Sequence, residues 1–112
     1  MNRTKLFDRV IEARGETAQL DMLQEECAEL IQAISKKKRG FSGTHRMISE
    51  EIADVEILTD QIKRMYSLGT CVELIKTQKL ERLERRLDEN DKSPEPTDKG
   101  KVTTLPMRKD HG

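Results

Sequence analysis

Two acidic clusters have the residue types and spacing to do chemistry: Glu25-Glu26-x-x-Glu29 within QEECAEL and Glu50-Glu51-x-x-Asp54 within SEEIADVEI. Each lies in a segment whose apolar residues recur at helical spacing. An α-helix turns by about 100° per residue, so the third carboxylate of each cluster falls between the first two and each helix carries an acidic patch. Glu25, Glu26 and Glu29 have no Lys or Arg three or four positions away; their helical neighbours are Asp21, Met22, Leu30, Gln32 and Ala33. Like charges at that spacing cost about 0.2 to 0.5 kcal/mol per pair in an isolated helix, which makes the first patch unfavourable unless a cation neutralises it.

The second patch sits in an otherwise apolar stripe. Projected around a helix over 46 to 66, Met47, Val55, Leu58, Ile62 and Met65 share one side, and Glu51 and Asp54 fall among them. Glu56, Asp60, Lys63 and Arg64 lie opposite. Glu50 leans toward that side with Arg46 four residues before it, the position of an exposed structural pair. Carboxylates on an inward face are costly to desolvate unless they meet a cation or a hydrogen-bond donor. Oxygen ligands converging from two helices suit a hard ion, Mg²⁺ or Mn²⁺ rather than Zn²⁺, since Cys and His ligands are lacking. A di-iron bundle would need Glu-x-x-His from two helices, and neither His45 nor His111 follows a Glu at that spacing.

These motifs resemble the MazG-type all-α nucleoside triphosphate pyrophosphatases, whose signature is EExxE followed, after a helix-loop gap, by ExxD. Here it reads EECAE at 25 to 29 and EIAD at 51 to 54, and the likeness also takes in QLDMLQEECAELIQ from Gln19, the RGFSG turn and the start of EEIADVEIL, covering roughly residues 15 to 90. The resemblance implies an all-α helical bundle completed by oligomerisation as a homodimer or homotetramer. It implies Mg²⁺-dependent cleavage of a nucleoside triphosphate between its α and β phosphates, giving a monophosphate and pyrophosphate. Glu26, Glu29, Glu51 and Asp54 would be the metal ligands, with Glu25 and Glu26 in the catalytic centre and Gln19 among the substrate contacts. Glu25 would either bind metal directly or orient the attacking water. Bound metal polarises phosphoryl oxygens and activates water, so no nucleophilic side chain is needed, and a carboxylate left uncoordinated can act as general base. Related activities on dUTP or phosphoribosyl-ATP are the close runner-up, and a non-catalytic helical interaction protein is the alternative of a different class.

The elements that must position these groups read as four helices, over about 3–13, 16–38, 45–67 and 70–89. KKKRG closes the second with basic residues and a Gly suited to the C′ position. GFSGTHR is short enough to make the second and third antiparallel neighbours, and SLGT breaks the chain before the fourth. Cys27 falls on the apolar side of the second helix with Leu20, Leu23, Leu30, Ile31 and Ile34, where a buried reduced thiol is expected; Cys71 has no metal-ligand spacing to it. On the fourth helix Val72, Leu80, Leu83 and Leu87 form a stripe. Lys76 projects onto that stripe and Lys79 onto its edge, so these two are the candidates to reach a substrate phosphate; the ordinary reading is an aliphatic stem covering the core. Residues 1–90 form one helical domain and 91–112, polar and Pro-containing, a disordered tail.

The 112 residues carry 21 acidic and 21 basic side chains and only three aromatics, Phe7, Phe41 and Tyr66. The core must be aliphatic, and a chain this small leaves apolar surface for another subunit to cover. Phe7 and Tyr66 read as packing residues first and as base-stacking rings second. Balanced charge gives no support to a bulk nucleic-acid or membrane role. No apolar run approaches a membrane span and MNRTKLFDRV lacks a signal-peptide core, so a cytoplasmic protein is expected.

Overall fold

A computed structural model describes residues 1–92. Within them lie four helices and no strand: α1 (Arg3–Arg14), α2 (Glu16–Lys38), α3 (Thr44–Tyr66) and α4 (Gly69–Lys92). The expected tail lies outside the described residues from 93 onward, and its first two positions, Asp91 and Lys92, belong to α4. No described helix is long and apolar enough to cross a membrane. The chain forms two compact units, Met1–Thr70 and the part from Cys71 onward.

The helix ends follow from cap chemistry. The Asn2 side chain accepts from the Lys5 N–H at 2.9 Å and starts α1. Gly15, at φ 91°, ends α1 by donating to the Ile11 carbonyl at 2.8 Å, and its own carbonyl receives the Gln19 N–H of α2 at 3.2 Å. One glycine is thus the pivot between two helices. At the end of α2, Gly40 N–H donates to the Lys37 carbonyl and Phe41 N–H to the Lys36 carbonyl, each at 3.1 Å, the paired bonds of a Schellman motif with glycine at positive φ. The same pattern closes α3 with a non-glycine: Ser67 sits at φ 54° and ψ 47° while Leu68 N–H donates to the Lys63 carbonyl at 2.8 Å.

In the unit Met1–Thr70, α2 and α3 run antiparallel and form the main packing pair, with α1 laid against both. Gln19, near the start of α2, meets Gln61, near the end of α3, while Ala33 and Met47 line one cleft at the other end. The inward residues of α2 recur every seven positions, Gln19, Glu26 and Ala33. Those of α3 do the same in the row Thr44, Glu51, Leu58, and a second row, Met47, Asp54, Gln61, runs beside it with Asp54 exposed at its middle. This is the spacing of a coiled-coil seam. Its apolar content is small: Phe7, Ala33 and Leu58 are the buried hydrophobic residues among those described, and Gln19, Thr44 and Gln61 are buried polar ones. Asp8 of α1 accepts two bonds from Arg64 of α3, at 2.6 and 2.9 Å, and the Tyr66 hydroxyl donates to Glu16. Phe7 packs in the interior, as its first reading required, and Tyr66 lies at the surface, tied to α2.

Candidate metal centre

The seam turns the acidic patches of α2 and α3 toward each other. Glu26, from the middle of α2, and Glu51 and Asp54, one turn apart on α3, each offer a carboxylate oxygen, and these oxygens lie within 4.8 Å of one another. Glu26 and Glu51 are half-buried, and the Oε1 atom of each is enclosed with no hydrogen-bond partner; Asp54 is exposed. Burial pushes the Glu26 carboxyl up to about 7, helped by its hydrogen bond toward Glu51 and by the charges of Glu29, Asp54 and Glu51. Once ionised, the three carboxylates form an acceptor-only set, and a hard divalent cation is the ligand such a set fits.

The remaining residues are distributed around this trio. Glu29 is exposed and stands outside it, acting on Glu26 through its charge. Glu25 is exposed, also outside the trio. Glu50 pairs with Arg46 at 3.0 Å at the surface, as the helical projection required. Gln19 is fully buried beside the trio. Lys76 and Lys79 lie exposed on α4 in the second unit, with Lys76 paired to Glu73 at 3.3 Å. Cys27, expected buried, is half-buried on the outer side of α2 in a groove with Leu20 and Ile31, because that helix turns its carboxylate and amide side, not its apolar stripe, toward α3.

Two clefts meet at the carboxylates. One, of about 350 Å³, is lined by Glu29, Gln32, Lys36, Met47 and Glu51, and Lys36 there is half-buried and forms no ion pair among the described residues. The other, of about 200 Å³, holds Glu26 and Asp54 together with Arg14, Gln19 and Gln61. No family model, curated protein or solved structure matches the chain. What the site does must therefore be read from its own geometry. Sequence reasoning passed over Gln61, Arg14 and Lys36. For Gln61 a signal existed: it follows Asp54 by the interval that separates Gln19 from Glu26, so the two helices place a matching amide one level along the seam from the acids.

Proposed function

We propose that the chain is a MazG-type nucleoside triphosphate pyrophosphohydrolase of the cytoplasmic nucleotide pool. It uses Mg²⁺, or Mn²⁺ in its place, to split a ribo- or deoxyribonucleoside triphosphate into its monophosphate and pyrophosphate. The observation that carries this reading is the convergence of Glu26, Glu51 and Asp54 within 4.8 Å, with two of their oxygens enclosed and unpartnered. Mg²⁺ normally keeps part of its shell for water and phosphate, so three protein carboxylates leave room for a substrate.

Glu26, Glu51 and Asp54 hold the cation, and Glu29 adds negative charge at the edge of the site. When bound, the cation neutralises phosphoryl charge and acidifies water. Glu26 gives up its proton on loading, since a coordinating carboxylate must be ionised. Glu25, exposed and outside the trio, is free to take a proton from the attacking water or to orient it. Lys36 presents a positive charge in the polar cleft it shares with Glu51, where phosphate oxygens would lie. Gln19 serves as a substrate contact. A homodimer or homotetramer completes the bundle, covering the apolar side chains that one chain leaves at its surface.

The decisive experiment incubates the protein with each common ribo- and deoxyribonucleoside triphosphate, in Mg²⁺ or EDTA, and separates the products. Monophosphate plus pyrophosphate is expected in Mg²⁺ alone. Glu26→Gln and Glu51→Gln each lower turnover by at least about 100-fold with helical content retained, because even an outer partner of a metal ligand is worth about 10- to 100-fold. Full turnover in either variant would remove it from the ligand set, and failure to cleave any triphosphate in Mg²⁺ would remove the reaction.

A further inference from the structure

The level of the seam next to the acids is built from two amides. Gln19 is 0% exposed; its Nε2 donates to Gln61 Oε1, and its own Oε1 is enclosed without a partner. Aliphatic residues would pack this level of an antiparallel helix pair without leaving a carbonyl unpaired, and an unpaired buried carbonyl bears its full desolvation cost. The two amides instead line the cleft of about 200 Å³ that has aliphatic walls from Val10, Met22 and Ile57 and the carboxylates of Glu26 and Asp54 at one side. Whole-ligand pockets run from about 300 to 1,000 Å³, so this one takes a single flat group rather than an entire nucleotide.

We propose that Gln19 and Gln61 are the specificity-determining contact of the site: Gln19 Oε1 accepts a hydrogen bond from the exocyclic amino group of an adenine or cytosine base lodged in this cleft. The inference rests on the nucleotide reading above. An amino group fits better than a ring imide because the atom of the amide pair left unpartnered, Gln19 Oε1, is an acceptor. An imide N–H is flanked by carbonyl oxygens, which that acceptor would repel. The amide pair is in turn held in place, since Gln61 fixes the Gln19 carboxamide through the bond it accepts. The aliphatic walls enclose the ring and exclude water from the bond, which raises the penalty for a base that cannot make it.

The test compares adenine and cytosine triphosphates with their purine and pyrimidin-2-one counterparts, which lack only the amino group. Wild-type protein is expected to favour the amino-bearing substrates by about 10- to 100-fold in kcat/KM. In the double variant Gln19→Leu, Gln61→Leu the two polar partners are removed together, so no orphan is left and the fold is retained. There kcat/KM for the amino substrates is expected to fall to that of the deamino ones. A structural role would lower both substrates alike and leave the ratio intact, and that result overturns the proposal. So does a wild-type preference for carbonyl-edged bases that the double variant loses, which would mean that the amides present a donor.

A second readout needs no turnover. The side-chain NH₂ resonances of Gln19 and Gln61 in isotope-labelled wild-type protein are followed while α,β-methylene triphosphates of the amino and deamino bases are added with Mg²⁺. Shifts with the amino-bearing nucleotides alone are expected, and identical spectra with both kinds overturn the proposal. Such shifts without hydrolysis of any natural nucleotide would remove the reaction and keep the base contact. Hydrolysis without base preference or shifts would do the reverse.

Discussion

Glu26 is where acid chemistry and fold stability meet. In the folded chain its carboxyl keeps its proton to about 7, against an ordinary value of 4.5, so the native state binds that proton more tightly than the unfolded one. The stability it contributes is therefore fully present below about pH 4.5 and is lost as pH rises through about 7. A cation among the three acids reverses the sign by favouring the ionised form and by binding the folded chain alone. Melting temperature in EDTA should then fall between about pH 5 and pH 8, and the rise produced by Mg²⁺ should be larger at the upper end. Glu26→Gln should flatten that part of the EDTA profile and abolish the Mg²⁺ shift; an undiminished shift in this variant would place the ion elsewhere. Glu26, Glu51 and Asp54 were legible in the sequence because carboxylates without local counter-charges, two of them on an apolar stripe, demand an explanation. Gln61 carried only its seven-residue spacing from Asp54, because a neutral amide breaks no charge rule, and its significance lies in a partner forty-two positions away.

The helices themselves were legible at the ends that have cap chemistry and less so elsewhere. Gly15 and Gly40 mark boundaries that the sequence places within a residue of where they lie, since each adopts a positive φ that a side chain disfavours. α4 runs through Lys92, the last described residue, beyond the expected 89. Which side of α2 faces inward was also hidden. Its apolar stripe suggested burial of Cys27, yet the helix has a second, polar side with a seven-residue repeat that meets α3. Ser67 supplies a test at this scale, because it closes α3 in the left-handed conformation that glycine occupies at the end of the loop before α3, at Gly43. A non-glycine there costs about 1 kcal/mol or more, part of which glycine's larger unfolded-state entropy offsets. Ser67→Gly should raise the urea-unfolding free energy by about 0.5 to 1 kcal/mol. Destabilisation instead would show that the Ser67 side chain makes a contact that outweighs the backbone strain.

A chain whose inward seam is given over to amides and acids has little apolar burial left to hold it together. Phe7, Ala33 and Leu58 are the buried hydrophobic residues among those described, while Ile31 is 67% exposed and Leu80 64% exposed. The outer stripe of α2, with Leu20, Leu23, Cys27 and Ile31 in one apolar groove, repeats at the three- and four-residue intervals of a helix-packing seam. Self-association of 12.9 kDa chains would place such residues out of water and compensate for the polar interior that the site requires. Each large aliphatic side chain so buried contributes about 1.5 to 3 kcal/mol, and at a two-fold interface it counts twice. Ile31→Lys at such an interface should therefore weaken assembly by about two decades in dissociation constant or more. Sedimentation of the wild type should give a multiple of 12.9 kDa and the variant a lower mass at the same concentration. Melting temperature should rise with protein concentration for the wild type and much less for the variant, because association stabilises the folded chain by mass action. A wild-type mass of 12.9 kDa across that range would mean that this surface is not covered by a second copy, and the site would then have to work within one chain.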